Sequence, residues 1–248
     1  MTQRKAPRES TCHVLREDPA LGQGISPGER TRAEDRCVAT ALSVRRGRWE
    51  VPAGDVRDGI GLLVLDGLLL RRVSVEGRFS AELLGAGDVI RPWQDLAEPA
   101  LHPFTSWRAL KLSRLAVLDE RTVERMADYP EIIRGLIERS VERSRRMAVN
   151  MAIVHHPRID IRLQMLFWHL ADRWGWVRGP QTVLPLRLTH SVLADLVAAQ
   201  RPTVSSALSD LACRDILRPT PDGWLLLGAP PRELVESGQP RRSAPSAF

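Results

Sequence analysis

Residues 198–212 read AAQRPTVSSALSDLA, and on a helix their side chains sort into two faces of different chemistry. Val204, Ala207, Leu208, Leu211 and Ala212 recur at i, i+3, i+4, i+7 and i+8, the spacing of a face packed on a core. Opposite them stand only Ser206, Ser209 and Asp210, where a surface helix usually carries Glu, Lys and Arg. A face so lightly covered can approach another surface closely, and its hydroxyls can donate to or accept from polar edges. The major groove of duplex DNA admits a helix on those terms. Arg201 at the helix start can take guanine in bidentate fashion or clamp a phosphate, and Gln200 is suited to adenine. Pro202, Thr203, Ser205 and Ser206 complete the expected contact surface. Upstream, Thr189 reads as the N-cap of a preceding helix, and the amides of Thr189 and His190 are expected to point at a backbone phosphate.

Other residue types that carry chemistry do not assemble. Cys12, Cys37 and Cys213 are odd in number and far apart, which fits neither a disulfide framework nor a metal cluster with close-spaced ligands. A reducing cytoplasm suits them. His155 and His156 point about 100° apart on a helix, which is poor geometry for sharing a metal, and helix-end solvation or a favourable contact with the helix dipole is the expected role. An enzyme built on a cupin-like barrel is the rival class, but it needs several His and a Glu converging from strands, and the strand-rich region offers only His102. No nucleophile elbow, phosphate-binding loop or dinucleotide motif is present. The expectation is a protein that is not an enzyme and requires no metal.

The elements that must position the 198–212 helix are readable from periodicity and punctuation. Ile159, Leu163, Leu166, Phe167, Leu170 and Trp174 form an amphipathic helix after Pro157, followed by a loop, GWVRGPQ, and a short strand, TVLPLRL. A helix facing Val192, Leu193, Leu196 and Val197 inward comes next, then a tight turn at 198–200 and the helix itself. Residues 216–227 read as a hairpin around Pro221-Asp222-Gly223. Helix, strand, helix, tight turn, helix, hairpin is the order of a winged helix-turn-helix, which can also serve purely as a protein-docking module.

Residues 38–118 carry a different period. Leu62–Leu65, Leu68–Val75 and Arg78–Leu84 are apolar or alternating runs separated by the turn pairs Asp66-Gly67 and Glu76-Gly77. Val89-Ile90 and a single long run, Trp107–Leu118, complete an antiparallel barrel or roll in which Trp93 and Trp107 either pack the core or roof a ligand pocket. Between the two regions, Asp128 with Glu131 makes a capping box with Pro130 in the first turn, and the spacing predicts one helix to about His155, roughly 40 Å long. Ile133, Ile137, Ser140, Ser144, Met147, Met151 and Val154 fall on its heptad-like seam, which invites the same helix of a second copy. Ser26 before Pro27 marks a further short helix.

Composition sets the outer limits. A chain of 248 residues with 43% hydrophobic residues buries one large core or two modest ones. The net charge of +6 and pI near 10.1 come almost entirely from arginine, Lys5 and Lys111 being the only lysines, so they permit a polyanionic partner without pointing to one. The longest apolar run, GIGLLVLDGLLL, is too short to span a bilayer and contains Asp66, and no signal-peptide core follows the basic start. The organisation expected is a disordered basic tail (1–13), a sensor-like β-roll (14–119), a dimerisation helix (120–156), a winged helix-turn-helix (157–229) and a disordered tail (230–248). The fold class is α+β, and the location cytoplasmic.

LTHSVLADLVAAQRPTVSSALSDLACRDIL with the DGWLLLG hairpin resembles the DNA-binding half of the Crp/Fnr superfamily of regulators. DGLLLRRV and EGRFSAELLGAGDVI resemble that family's cyclic-nucleotide-binding-like β-roll, and YPEIIRGLIERSVERSRRM its dimer helix, so the likeness spans about residues 38–228. It implies transcription regulation by a homodimer on a roughly palindromic operator, with half-sites about one helical turn apart, and RNA polymerase as a partner. Cyclic-nucleotide binders of the family follow the GDVI-like turn with Gly-Glu and later place an Arg on the phosphate. This chain has Arg91-Pro92-Trp93 and Pro103-Phe104-Thr105 there, so cyclic AMP is not expected in the usual mode, and the effector is another nucleotide, a small metabolite or none. The family's Arg-Glu-Thr-Val appears as Arg201-Pro202-Thr203-Val204, and a second downstream Arg as Ser206, so the operator is expected to differ or to be read less stringently.

Overall fold

The computed structural model describes residues 9–51, 59–92 and 103–230; Trp93, His102 and most of the two expected tails lie outside the described residues. The chain divides into compact units at 1–149 and 150–248.

The first unit runs β1 (Glu9–His13), α1 (Val14–Glu17), a 3-10 turn (Pro19–Gly22), α2 (Pro27–Arg36), β2 (Val38–Val44), β3 (Gly47–Trp49), β4 (Gly61–Asp66), β5 (Leu68–Val75), β6 (Arg78–Gly85), β7 (Val89–Ile90), β8 (Phe104–Ala109), β9 (Ser113–Leu118), α3 (Glu120–Ala127) and α4 (Pro130–His155) as far as Val149, the rest of α4 falling in the second unit. Its strands make two antiparallel sheets, ordered β1-β2-β9-β4-β7 and β3-β8-β5-β6. Strand alternation decides what each sheet face covers. Leu62 and Val64 of β4, with Leu115 and Val117 of β9, join Leu69, Leu84, Ile90, Trp49 and Trp107 in the interior of the roll. The intervening Leu63, Leu65, Ala116 and Leu118 turn the other way, to a second cluster with Leu15, Leu21, Met126, Ile132 and Leu136. Because β4 is buried on both faces, it reads as an unbroken apolar run rather than an alternating one.

Of the two expected hairpin turns only Glu76-Gly77 joins paired strands, β5 and β6; Asp66-Gly67 is instead a corner at which the chain passes from β4 in one sheet to β5 in the other. Glu76 and Gly77 have φ of 47° and 76°, the mirror-image turn that suits strand twist. Gly67 has φ of 118°, and a Cβ there would fall on Ser113, whose hydroxyl accepts from the Leu68 amide at 3.2 Å and donates to the Lys111 carbonyl at 3.0 Å.

Several expectations are corrected here. Residues 9–13, read as part of a disordered tail, form β1, paired with β2 from Glu9 opposite Leu42 to His13 opposite Val38. The single run 107–118 is two strands, β8 and β9, broken at 110–112. Segment 120–156 holds two helices: Asp119 caps α3 through the Thr122 amide at 2.8 Å, and Asp128 closes α3 instead of opening α4. The Asp128 carboxylate pairs with Arg36 at 2.6 Å, so the capping box does not form. Ser26 precedes α2 without capping it through its side chain; its hydroxyl donates to Glu29 at 2.8 Å.

One face of α4 is fixed to its own unit. Ile132 and Leu136 enter the core, and arginines at the following turns meet carboxylates. Arg139 pairs with Asp18, Arg143 grips Glu82 at 2.6 Å and donates to the Val89 carbonyl at 3.2 Å, and Arg146 meets the buried Asp88 at 2.6 Å. The other face holds Ile137 (59% exposed), Ser140, Val141, Ser144 and Met147, all exposed.

The second unit contains α5 (Ile159–Trp174), β10 (Trp176–Arg178), β11 (Gln181–Leu184), α6 (His190–Leu196), α7 (Arg201–Cys213), β12 (Leu217–Thr220) and β13 (Gly223–Leu227). Its sheet is antiparallel in the order β10-β11-β13-β12. The segment read as a loop, GWVRGPQ, is therefore a hairpin, with Trp176 opposite Val183.

Candidate nucleic-acid interface

The helix pair α6–α7 is held from beneath. Val192, Leu193, Leu196, Val197, Val204, Leu208 and Leu211 are buried, and α7 packs on α5 and α6. Phe167 of α5 lies against Trp224 of β13 with ring centroids 4.9 Å apart. Ala212, assigned by periodicity to the inward face, is exposed, because α7 reaches its last turn there and the chain leaves for β12.

The local sequence makes the turn. Thr189 caps α6, its hydroxyl accepting from the Val192 amide at 3.3 Å. The helix ends at Leu196 with Val197 as its C-cap; Ala198 then takes a left-handed φ of 50°, and the Ala199 amide reaches back to the Ala194 carbonyl at 3.0 Å. Gln200, in extended conformation with its side chain unused as a cap, then sets up Arg201 and Pro202, whose ring needs no amide partner in the first turn.

Of the expected contact residues, Gln200, Arg201, Pro202, Thr203 and Ser206 are brought together as exposed side chains at the start of α7. Arg201 makes no ion pair or side-chain hydrogen bond with any described residue. Its neighbours in the unit differ: Arg158 grips Asp160 at 2.6 Å, Arg187 pairs with Asp222 and Arg218 with Asp215. The Arg158 guanidinium holds the Asp160 carboxyl below its ordinary range, and Arg214 stands 3.6 Å from the same carboxylate. These groups border an open groove of about 650 Å³ that runs past Thr203, Ser206 and Asp210. Ser205 and His190 sit differently. They are half-buried and bond each other, Nδ1 to Oγ, at 2.9 Å.

Residues 161–227 match the family model described as the Crp-like helix-turn-helix domain. A CRP-like cAMP-activated global transcriptional regulator of Mycobacterium tuberculosis is 28% identical over 176 residues, 70% of this chain and 77% of the relative. Residues 161–227 are a Crp-like helix-turn-helix domain, and the chain as a whole is similar to Crp/Fnr regulators. The fold agrees with solved structures over most of the chain. A CooA mutant from Carboxydothermus hydrogenoformans matches with TM-score 0.62 at 16% identity, covering 94% of this chain and 98% of that one. FixK2 from Bradyrhizobium japonicum matches with 0.56 at 17%, covering 83% and 99%. The protein is thus a DNA-binding transcription regulator, and α6 and α7 lie within its Crp-like helix-turn-helix domain.

The β-roll of this regulator holds a second concave feature, of about 380 Å³, bordered by Trp49, Pro92, Pro103, Phe104, Thr105 and Trp107. Trp107 is mainly a core residue, 6% exposed and edge-to-face with Trp49 at 5.6 Å. Phe104 is 63% exposed. Asp88 of the GDVI turn accepts from the Gly85 amide at 2.8 Å in addition to its pair with Arg146, so the turn is braced from within the protein. Among the described residues, no group of three or more His, Cys, Asp or Glu side chains is placed to hold a metal ion, and no helix is long and apolar enough to cross a membrane. Sequence reasoning missed the arginine ladder of α4 and the His190–Ser205 bond. The charged repeat RSVERSRR was the available signal for the first; nothing local signalled the second.

Proposed function

We propose that this regulator acts as a homodimer on a roughly palindromic operator, with one α7 helix in each of two successive major grooves. The single observation that carries this reading is Arg201, exposed and unpaired with described residues on a helix whose other outward side chains are short. Gln200 and Arg201 read base edges, Thr203 and Ser206 contact bases or phosphates, and Thr189 and His190 stand at the start of α6, beside the phosphate backbone. The dimer seam comprises Ile133, Ile137, Ser140, Ser144, Met147, Met151 and Val154. Its support is the exposure of Ile137, Met147 and Met151 on α4; Ile133 and Val154 are half-buried and lie at its margins.

Cyclic AMP is not bound in the usual mode. The support is chemical: Arg91-Pro92 and Pro103-Phe104-Thr105 offer neither the carboxylate for a ribose nor the arginine for a cyclic phosphate at those positions. An effector, if used, is another nucleotide or a small metabolite, and RNA polymerase is the protein partner in the cytoplasm. The reading assigns no catalysis.

Selection of bound duplexes from a randomised pool by the full-length protein, repeated with Arg201→Ala, tests it. Expected is an inverted repeat whose preference at one base pair per half-site relaxes in the variant. Unchanged selection would remove Arg201 from the interface.

A further inference from the structure

The bond between His190 and Ser205 joins the first residue of α6 to the first turns of α7, fifteen residues apart in sequence. Its direction follows from counting protons. A serine hydroxyl carries one proton, and that of Ser205 is donated to the Arg201 carbonyl at 3.0 Å. At the His190 contact the Ser205 oxygen is therefore the acceptor, and the imidazole Nδ1 must carry the hydrogen. Neutral imidazole has one N–H, so Nε2 is left as an acceptor only.

We infer that His190 and Ser205 form a positioning pair: the imidazole, held as its Nδ1–H form, donates to the Ser205 hydroxyl, which donates to the carbonyl of Arg201, tying the scaffold helix to the residue that reads DNA. The inference rests on the operator reading for its consequence, not for its geometry. A relay of this kind fixes the angle at which α7 presents its first turn. The turn between the helices runs through Ala198 in a left-handed conformation, without the freedom a glycine would bring, so the relay acts across an already stiff corner. It also separates the contact residues into two kinds. Arg201, Thr203 and Ser206 face outward, whereas Ser205 and His190 spend their polar atoms on each other. The outward hydroxyl of Ser206 donates to the Pro202 carbonyl at 3.3 Å within α7 itself and has no partner on α6 among the described residues, so it makes no such link.

Two measurements decide the matter. Long-range proton–nitrogen correlation spectra of the full-length protein, with ¹⁵N-labelled histidine at pH 8, are expected to show the His190 signals, identified by their loss in His190→Asn, protonated at Nδ1 and bare at Nε2; His13, whose Nδ1 donates to the Glu34 carbonyl at 3.0 Å, gives a like signal that persists in the variant. A His190 protonated at Nε2 instead would overturn the relay. In operator binding, His190→Ala and Ser205→Ala are each expected to lower affinity about threefold to tenfold, and the double variant no more than the worse single. His190→Asn, whose amide can donate from the Nδ1 position, is expected to restore binding, whereas His190→Gln is not. Additive losses, or rescue by glutamine but not asparagine, would overturn it as well. A wild-type protein indifferent to every duplex would sink the operator reading while the spectra still judged the relay.

Discussion

Helices α4 and α7 share a design and differ in what they leave uncovered. Each buries one apolar stripe in its own unit and exposes a face with fewer long charged side chains than solubility asks for. On α7 that face is Thr203, Ser206 and Ser209, small and polar, with Arg201 unpaired among described residues at its start. On α4 it is Ile137, Val141 and Met147, apolar, with Ser140 and Ser144 between them. On the proposed function a thinly charged helix face is a partner's face, and the polarity of its short residues sets the kind of partner expected: hydrogen-bonding edges for α7, a matching apolar seam for α4.

The comparison is broken most severely by putting charge into the α4 seam. Ile137→Asp together with Met147→Asp is expected to give a folded monomer by sedimentation, with operator affinity down about a hundredfold or more because two half-sites no longer act as one ligand. Retention of a dimer would place the interface elsewhere. On the inner face of α4, Arg146→Leu takes the ion pair from the buried Asp88 carboxylate and is expected to cost about 3 kcal/mol in urea unfolding, whereas the exposed Arg145→Leu should cost within about 0.5 kcal/mol. On α7, Arg201→Ala is expected to cost about 1–3 kcal/mol of operator binding without changing stability, read by titration against matched and single-mismatch duplexes. The smallest effect falls at the corner between the helices. Ala198→Gly relieves a left-handed residue and is expected to raise stability by about 0.5 kcal/mol, once the extra freedom of glycine in the unfolded chain is subtracted.

The same contrast explains what could be read in the sequence. The helices of the second unit were legible because their signals are local: Pro157 before α5, Thr189 before α6, Arg201-Pro202 opening α7, and apolar residues at helical spacing between. The outward face of α4 was legible for the same reason. Its inward arginines were not, since Asp18, Glu82 and Asp88 lie far off in the chain and only folding brings them to Arg139, Arg143 and Arg146. β1 was hidden likewise, its polar sequence made a strand by pairing with β2 about thirty residues later. Asp128 shows the opposite failure, a motif that looks local but is overridden by Arg36 and by the end of α3. Within the interface, Arg201 could be found from its place at the helix start. Ser205 and Ser206 could not be told apart, because the difference is a histidine fifteen residues upstream.

Hydroxyl-radical footprinting of the full-length protein on a selected duplex, with the stoichiometry taken by sedimentation, meets the central idea head-on. Expected are two protein chains per duplex and two protected half-sites about one helical turn apart on the same side of the DNA. One chain per duplex, or a single protected patch, would contradict it.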